Sequence, residues 1–319
     1  MGTPYLSVVI PVFNEQESLE TLYHRLAETL DNLGFSFEIL FVDDGSKDNS
    51  KKMLVDFYKQ RPHQIRVIEF NRNYGQHMAL MAGFEYAQGE IIVTMDADLQ
   101  NYPEDIPRLL DKMAEGYDVV GGSRQNRQDK LWRLWFSRIH NGLRRRFTQI
   151  DMEDEGCMLR AYSRSVIQRM LACHETSTFI PALAFSLANN PTDVAVRHAS
   201  REAGQSKYNF YKLVRYNFDF FANFSRAPLE FFTICGFVVA TLSIGLFVYI
   251  MVHRLLYGPE LEGAFTLFAI LYFLIGVLLM GLGIIGEYVG RIQADVRKRP
   301  RYIIRRVLDH KIQEEVSYS

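Results

Sequence analysis

Two runs late in the chain, residues 231–252 and 263–286, contain no charged side chain. At about 1.5 Å of rise per residue, a helix over either run reaches the roughly 30 Å of a bilayer's hydrocarbon core. The sequence therefore predicts two transmembrane helices joined by a short loop. That loop, 253–262, carries one arginine, whereas the outer flanks carry Arg215, Arg226, Arg291, Arg297, Lys298, Arg299 and Arg301. The positive-inside rule puts both termini in the cytoplasm, along with everything ahead of the first span. The opening residues, MGTPYL, lack the basic-then-apolar order of a signal peptide, so insertion falls to the later runs. A buried hairpin in a soluble protein is the alternative, and the unbroken absence of charge argues against it.

Upstream the pattern changes. Residues 6–12 (LSVVIPV) are a continuous β-branched apolar run, as in a strand covered on both faces. Residues 15–33 have helical spacing and are followed by Gly34. Strands are expected at 38–42, 65–70, 90–95 and from 118. Helices are expected at 76–87 and at 103–115, the latter opened by Pro103, with Asp48-Asn49-Ser50 capping another. Repeated units of this length imply an α/β domain with a mostly parallel, Rossmann-like sheet and helices on both faces. Residues 130–148 and 208–226 interleave basic with aromatic side chains, which predicts amphipathic helices lying in the membrane interface. Packing helices of the soluble domain are the alternative there. The expected organisation is a catalytic domain over 1–207, an interfacial helix over 208–228, the hairpin within 229–288 and a basic cytoplasmic tail over 289–319. A net charge of −1 gives no footing for nucleic acid. Cys157, Cys173 and Cys235 form no CxxC pair, so neither a disulfide framework nor a zinc site is indicated.

Ligands of such sheets sit beyond the carboxyl ends of the strands. Three clusters fall there: Pro11-Val12-Phe13-Asn14-Glu15, Asp43-Asp44-Gly45-Ser46-Lys47-Asp48, and Asp96-Ala97-Asp98. Two carboxylates one residue apart after an apolar strand can grip a hard cation such as Mg²⁺ or Mn²⁺, with phosphates completing the shell. Gln100 can add a carbonyl ligand or a phosphate contact. A DxD triplet alone is weak, and its place at a strand end is what gives it weight. The other carboxylates suit ribose hydroxyls and a base edge, with helix capping by Asn14 and Asp48 as the alternative. Neither G-x-G-x-x-G nor G-x-x-x-x-G-K-[ST] occurs, which argues against a dinucleotide oxidoreductase or a P-loop ATPase.

The ordered set PVFNE, DDGSKDNS, NRNYGQHMALMAGF, DADLQNYPE, GCMLRAY and REAGQSKY, followed by two spanning runs, resembles the family-2 glycosyltransferases of GT-A fold. Within these it is similar to the polyprenyl-phosphate sugar transferases, relatives of dolichyl-phosphate mannose synthase. The resemblance covers nearly the whole chain. It implies a UDP-sugar donor whose diphosphate carries Mg²⁺ or Mn²⁺ held by Asp96, Asp98 and Gln100. It implies that Pro11, Phe13, Asn14, Glu15, Asp43, Asp44, Gly75, Asp96 and Ala97 bind the nucleotide. Asp154 would stand near the reacting sugar, catalytic together with Asp98. Arg124, Arg127, Arg201, Ser206 and Lys207 would meet the acceptor phosphate. The runs RNYGQH, RQNRQD and GCMLRAY imply 4-deoxy-4-formamido-L-arabinose as the sugar and undecaprenyl phosphate as the acceptor, at the inner leaflet of a bacterial cytoplasmic membrane, for lipid A modification. Transfer of glucose or another hexose to the same lipid is the second reading. The resemblance also implies a homotetramer.

A phosphate monoester has a second pKa of about 6 and is largely ionised at neutral pH. A strong general base is then unnecessary, so Asp154 is expected to position sugar or acceptor rather than abstract a proton. A single displacement predicts inversion at the anomeric carbon. Processive polysaccharide synthases typically carry Q-x-x-R-W, and neither Trp132 nor Trp135 sits in one. A non-catalytic, nucleotide-sensing membrane scaffold is the reading from another class, and the intact DxD argues against it.

Overall fold

Short β-branched runs build one mixed sheet, and the two long uncharged runs build separate helices. The computed structural model describes residues 3–124, 152, 154, 156–173, 179–199, 227–257, 264–296 and 300–310. The first elements are β1 (Leu6–Val12), α1 (Leu19–Asp31), β2 (Phe37–Asp43), α2 (Ser50–Gln60), β3 (Ile65–Phe70), α3 (Gln76–Tyr86) and β4 (Ile91–Thr94). A 3₁₀ turn at Pro103–Asp105 leads into α4 (Ile106–Ala114), then β5 (Val119–Arg124), β6 (Arg160–Ser163), α5 (Arg164–Ala172), α6 (Ile180–Leu187) and β7 (Pro191–Val196). The last are α7 (Ala227–Tyr257), α8 (Ala264–Val296) and β8 (Ile304–Leu308).

Among the described residues the sheet has eight strands in the order β7-β5-β6-β4-β1-β2-β3-β8. The centre, β4-β1-β2-β3, is parallel, and so is the β5–β7 pair. β6 runs antiparallel between β4 and β5, and β8 antiparallel beside β3. This is the mostly parallel α/β fold expected from the sequence, with the core packed against both faces. On one side α1 buries Leu19, Leu22, Leu26 and Leu30 at helical spacing against β1 and β2 side chains. On the other side α3 buries the run from Ala79 to Phe84, and its Gly83 lies directly on β1: a Cβ there would meet Cγ1 of Val9 at 2.2 Å.

Helix 15–33 of the sequence reading is shorter in the structure. Ser18 and Leu19 donate their N–H groups to the Glu15 carbonyl at 3.1 and 3.0 Å, closing a turn ahead of α1. Residues 13–17 are thereby left free to meet the loop after β2. The basic tail is also different from the expectation. α8 continues to Val296, and Ile304–Leu308 pairs with β3 as the outermost strand, burying Val307. One of its arginines is matched by an acid of distant sequence: Arg306 pairs with Glu69 of β3.

The chain divides into two units, Met1–Lys207 with Arg299–Ser319, and Tyr208–Lys298. The second is built on α7 and α8. They touch where Gly281 admits the ring of Phe232, an atom of which lies 2.1 Å from where a Cβ would stand. Large apolar side chains such as Leu271, Phe273, Leu278 and Leu279 are exposed along α8. Ile270–Gly290 is long and apolar enough to cross a membrane by length and composition. The expected interfacial stretches, 130–148 and 208–226, lie outside the described residues.

Candidate active site

The loops after β1, β2 and β3 are stitched together by polar bonds. Asn14 has a left-handed backbone (φ 57°), a conformation asparagine tolerates better than most residues. Its N–H donates to Ser46 Oγ at 3.1 Å, and its Oδ1 accepts the Lys47 N–H at 2.8 Å. Glu15 N–H donates to Ser50 Oγ at 3.0 Å, and Gln16 N–H to Asp48 Oδ2 at 3.2 Å. Asn14 is thus a cross-loop tie and not a cap; the N-cap of α1 is Ser18, whose hydroxyl donates back to Glu15 and makes no capping bond. Asp48 does act at a helix start, accepting from Ser50 N–H at 3.0 Å.

Asp43 and Asp44 are buried. Asp43 Oδ1 accepts the Ser46 N–H at 3.1 Å, and Lys51 stands 3.6 Å from Oδ2. Asp44 accepts the Tyr74 N–H at 2.6 Å and the Gly75 N–H at 2.8 Å, one on each oxygen. Burial pushes both carboxyls above their ordinary range, although these hydrogen bonds pull the other way. Gly45 and Gly75 both have positive φ, and at Gly45 a Cβ would stand 2.5 Å from the Arg72 carbonyl carbon. Of the expected nucleotide ligands, then, Asn14, Asp43 and Asp44 shape the loops. Phe13 presents an exposed ring, and Pro11 and Glu15 are half-buried.

The acidic pair follows β4. Asp96 and Asp98 are half-buried on either side of buried Ala97. Asp98 Oδ1 accepts the Gln100 N–H at 3.1 Å, and Leu99 between them is left-handed (φ 62°). That conformation costs about 1–2 kcal/mol for a residue with a Cβ. Such strain is often concentrated at functional sites. Gln76, the first residue of α3, donates its side-chain amide to Asp96 Oδ1. The Gln100 carbonyl accepts the Ala199 N–H at 3.0 Å, and Asn101 bridges to His198. The acidic turn is thus pinned to α3 on one side and to the segment after β7 on the other.

Asp154 lies beside the end of β5. Its carboxylate accepts both arms of Arg124, with Nη2 to Oδ1 at 2.7 Å, and the Gly156 N–H at 3.0 Å. Burial disfavours the charged form most strongly. The Arg124 hydrogen bonds and charge, together with the Gly156 N–H, outweigh it and hold the carboxyl below its ordinary range. Arg160, fully buried, supports this turn from beneath by donating to the carbonyls of Asp154 and Cys157, the latter at 2.8 Å. Its neighbours explain the paired glycines of β5. A Cβ on Gly121 would lie 2.1 Å from Asp193 Oδ1 and 2.8 Å from Arg160 Nη1, and one on Gly122 would lie 2.7 Å from the Leu159 carbonyl.

His198 stands within the fields of Arg124, Asp154 and Asp98, so it connects the two acidic positions. Burial first, then Arg124, lowers its pKa, and its Nδ1 is buried without a hydrogen bond. Burial pushes the Cys157 thiol up to about 11, which leaves it un-ionised and unsuited as a nucleophile. Sequence reasoning missed His198, Gln76 and Arg160. The first is one histidine in VRHAS, and nothing local marks it. Gln76 and Arg160 sat inside quoted motifs without being assigned a role. Arg127, Arg201, Ser206 and Lys207 lie outside the described residues.

The sequence model of "Glycosyl transferase family 2" matches residues 7–171, a stretch that runs from the second residue of β1 through β6. The chain belongs to glycosyl transferase family 2. It is 48% identical over 95% of its length to undecaprenyl-phosphate 4-deoxy-4-formamido-L-arabinose transferase of Edwardsiella ictaluri (strain 93-146), covering 94% of that protein. It is equally identical, again over 95% of its length, to the protein of the same name from Klebsiella pneumoniae (strain 342), covering 93% of it. A looser likeness is to the glucosyl-3-phosphoglycerate synthase of Mycobacterium tuberculosis solved with Mn²⁺, UDP and phosphoglyceric acid. That likeness is at 16% identity and a TM-score of 0.47, over 63% of this chain and 72% of that one. As a family-2 member the chain is a glycosyltransferase.

The donor set at Asp96 and Asp98 suits a hard cation. It offers two half-buried carboxylates one residue apart. No group of three or more His, Cys, Asp or Glu side chains placed to hold a metal occurs among the described residues. A partial oxygen shell of this kind is how proteins usually hold Mg²⁺ on a substrate's phosphates.

Proposed function

We propose that this family-2 transferase moves 4-deoxy-4-formamido-L-arabinose from its UDP-linked donor to undecaprenyl phosphate, with inversion at the anomeric carbon. The observation that carries the proposal is the 48% identity over 95% of the chain to proteins bearing that activity in their names. The geometry agrees with it. Asp96 and Asp98, beyond the end of β4, face where a diphosphate would lie in such a sheet. The exposed Phe13 ring offers a base an apolar face, and Glu15 suits a ribose hydroxyl. A divalent cation held by Asp96, Asp98 and Gln100 supplies positive charge for the leaving diphosphate. The lipid phosphate arrives ionised, so the chain's own task is placement. Asp154, locked in its charged form by Arg124, fixes the sugar. Arg124, Arg127, Arg201, Ser206 and Lys207 draw in the anionic lipid head.

The same reading makes residues 231–252 and 263–286 two membrane crossings, with both termini and the catalytic domain on the cytoplasmic side of a bacterial inner membrane, and the assembly a homotetramer. Support comes from the uncharged runs and the arginine-rich flanks. The test is mass spectrometry of the lipid product. Purified full-length chain is given undecaprenyl phosphate and a panel of UDP- and GDP-linked sugars. The expected product carries the formamido pentose; a hexose product in its place overturns the choice of sugar.

A further inference from the structure

The loop 71–75 is bracketed by a part of the chain that lies far from it in sequence. Phe70 precedes the loop and α3 follows it. Tyr302 touches both. Its ring stacks on Phe70 with centroids 5.0 Å apart and planes 15° from parallel, and its hydroxyl donates to Glu85 Oε2 of α3 at 2.5 Å. Ile303 beside it accepts the Asn71 N–H at 3.2 Å. Phe70 in turn meets the edge of the Tyr74 ring at 5.6 Å. Inside the bracketed loop, Tyr74 and Gly75 hold Asp44 through their N–H groups, and Gln76 at its end holds Asp96.

We infer that Tyr302, on the segment that returns after the long apolar helices, is a positioning residue of the donor site. It fixes the strand before the loop against the helix after it. That sets where Gln76 presents its amide to Asp96 and how the Asp44 turn faces the nucleotide. Groups that orient a ligand-holding carboxylate commonly carry about 10- to 100-fold in metal affinity. The antiparallel seat on β3 gives this segment a rigid base, and the strand beyond it needs no contact with ligand to act.

The inference rests on the reading of Asp96 as a donor-site residue, and the test separates the two. Binding of UDP to the purified full-length chain in Mn²⁺ is measured by titration calorimetry, alongside thermal melting. Tyr302→Leu removes the stack and the hydroxyl, and should weaken Mn²⁺-dependent UDP binding about tenfold. Tyr302→Phe keeps the stack on Phe70 but loses the bond to Glu85 of α3, and should restore only part of it. Val307→Ala, a buried position in β8 just beyond Tyr302, should lower the melting temperature with UDP affinity unchanged. If Val307→Ala weakens UDP as much as Tyr302→Leu does, the effect is general loosening and the inference falls. If Asp96→Asn weakens UDP binding but Tyr302→Leu stays within about twofold of the native chain, the positioning role falls and the donor site stands. If Asp96→Asn also leaves binding intact, the donor-site reading itself fails.

Discussion

The charges at the amino ends of the parallel strands and the Asp96–Asp98 pair at the carboxyl end of β4 are treated in different ways. At the amino ends, Glu38 accepts from Ser7 Oγ and from the Gln88 N–H, each at 2.6 Å, and pairs with Arg66 at 3.3 Å. Arg66 also pairs with Asp309 at 3.1 Å and donates to the Tyr86 carbonyl at 2.7 Å. Acid and base there answer one another within the protein. A cavity of about 610 Å³ opens beside them, but these walls already spend their charge on each other. At the carboxyl ends, Asp98 accepts a backbone N–H from its own turn, and Asp96 is held by an uncharged amide. On the proposed function, the contrast separates charge that specifies the fold from charge that serves a ligand.

The sharpest way to break that contrast is to exchange the consequences. Asp98→Asn should cut transfer by about three orders of magnitude, because several kcal/mol of charge stabilisation on the leaving group goes with it. Its melting temperature should stay close to native, since among the described residues Asp98 makes no ion pair. Near-native turnover with Mn²⁺ would remove Asp98 from the site. Arg66→Met should do the reverse. Glu38 and Asp309 would be left buried without their cation, at a cost of about 3–5 kcal/mol in stability. At a temperature where the variant is still folded, its kcat/KM should match the native chain. A variant that melts normally but turns over slowly would place the amino-end cluster in function after all.

Much of this division was legible from sequence, for identifiable reasons. The strands that carry the acidic loops are short uninterrupted apolar runs, so β1 and β3 fell where their patterns put them and the carboxyl-end clusters followed. The failures were of interactions with no local signature. Residues 300–310 read as a basic tail because Arg297, Lys298, Arg299 and Arg301 stand at or just before their start, whereas Arg306 in the apolar run IIRRVL is matched by Glu69, more than two hundred positions earlier. Asn14 suggested capping or ligand contact and Asp44 ligand contact, and neither reading included their bonds to other loops. Their bonds run between loops, which only the parallel register of β1, β2 and β3 brings side by side. His198 had no pattern around it, and its meaning comes from the charges the fold gathers about it.

Asp154 tests the boundary between the two kinds of charge, because it is paired like the amino-end cluster yet sits at the carboxyl end. Asp154→Asn keeps the shape and leaves the Arg124 fork one good acceptor in place of two. If the residue positions the sugar, turnover should fall by about 10- to 100-fold, less than for Asp98→Asn, as expected of a small misplacement. The pH profile decides its role. The folded protein lowers this carboxyl's pKa, so the ionised pair stabilises the fold fully at neutral pH and that contribution is lost only as pH falls through the lowered value. Between about pH 5 and 8 the rate of Asp154→Asn should therefore run parallel to the native profile. An acidic limb present in the native chain and missing from the variant would make Asp154 a proton acceptor, and would set it apart from both clusters.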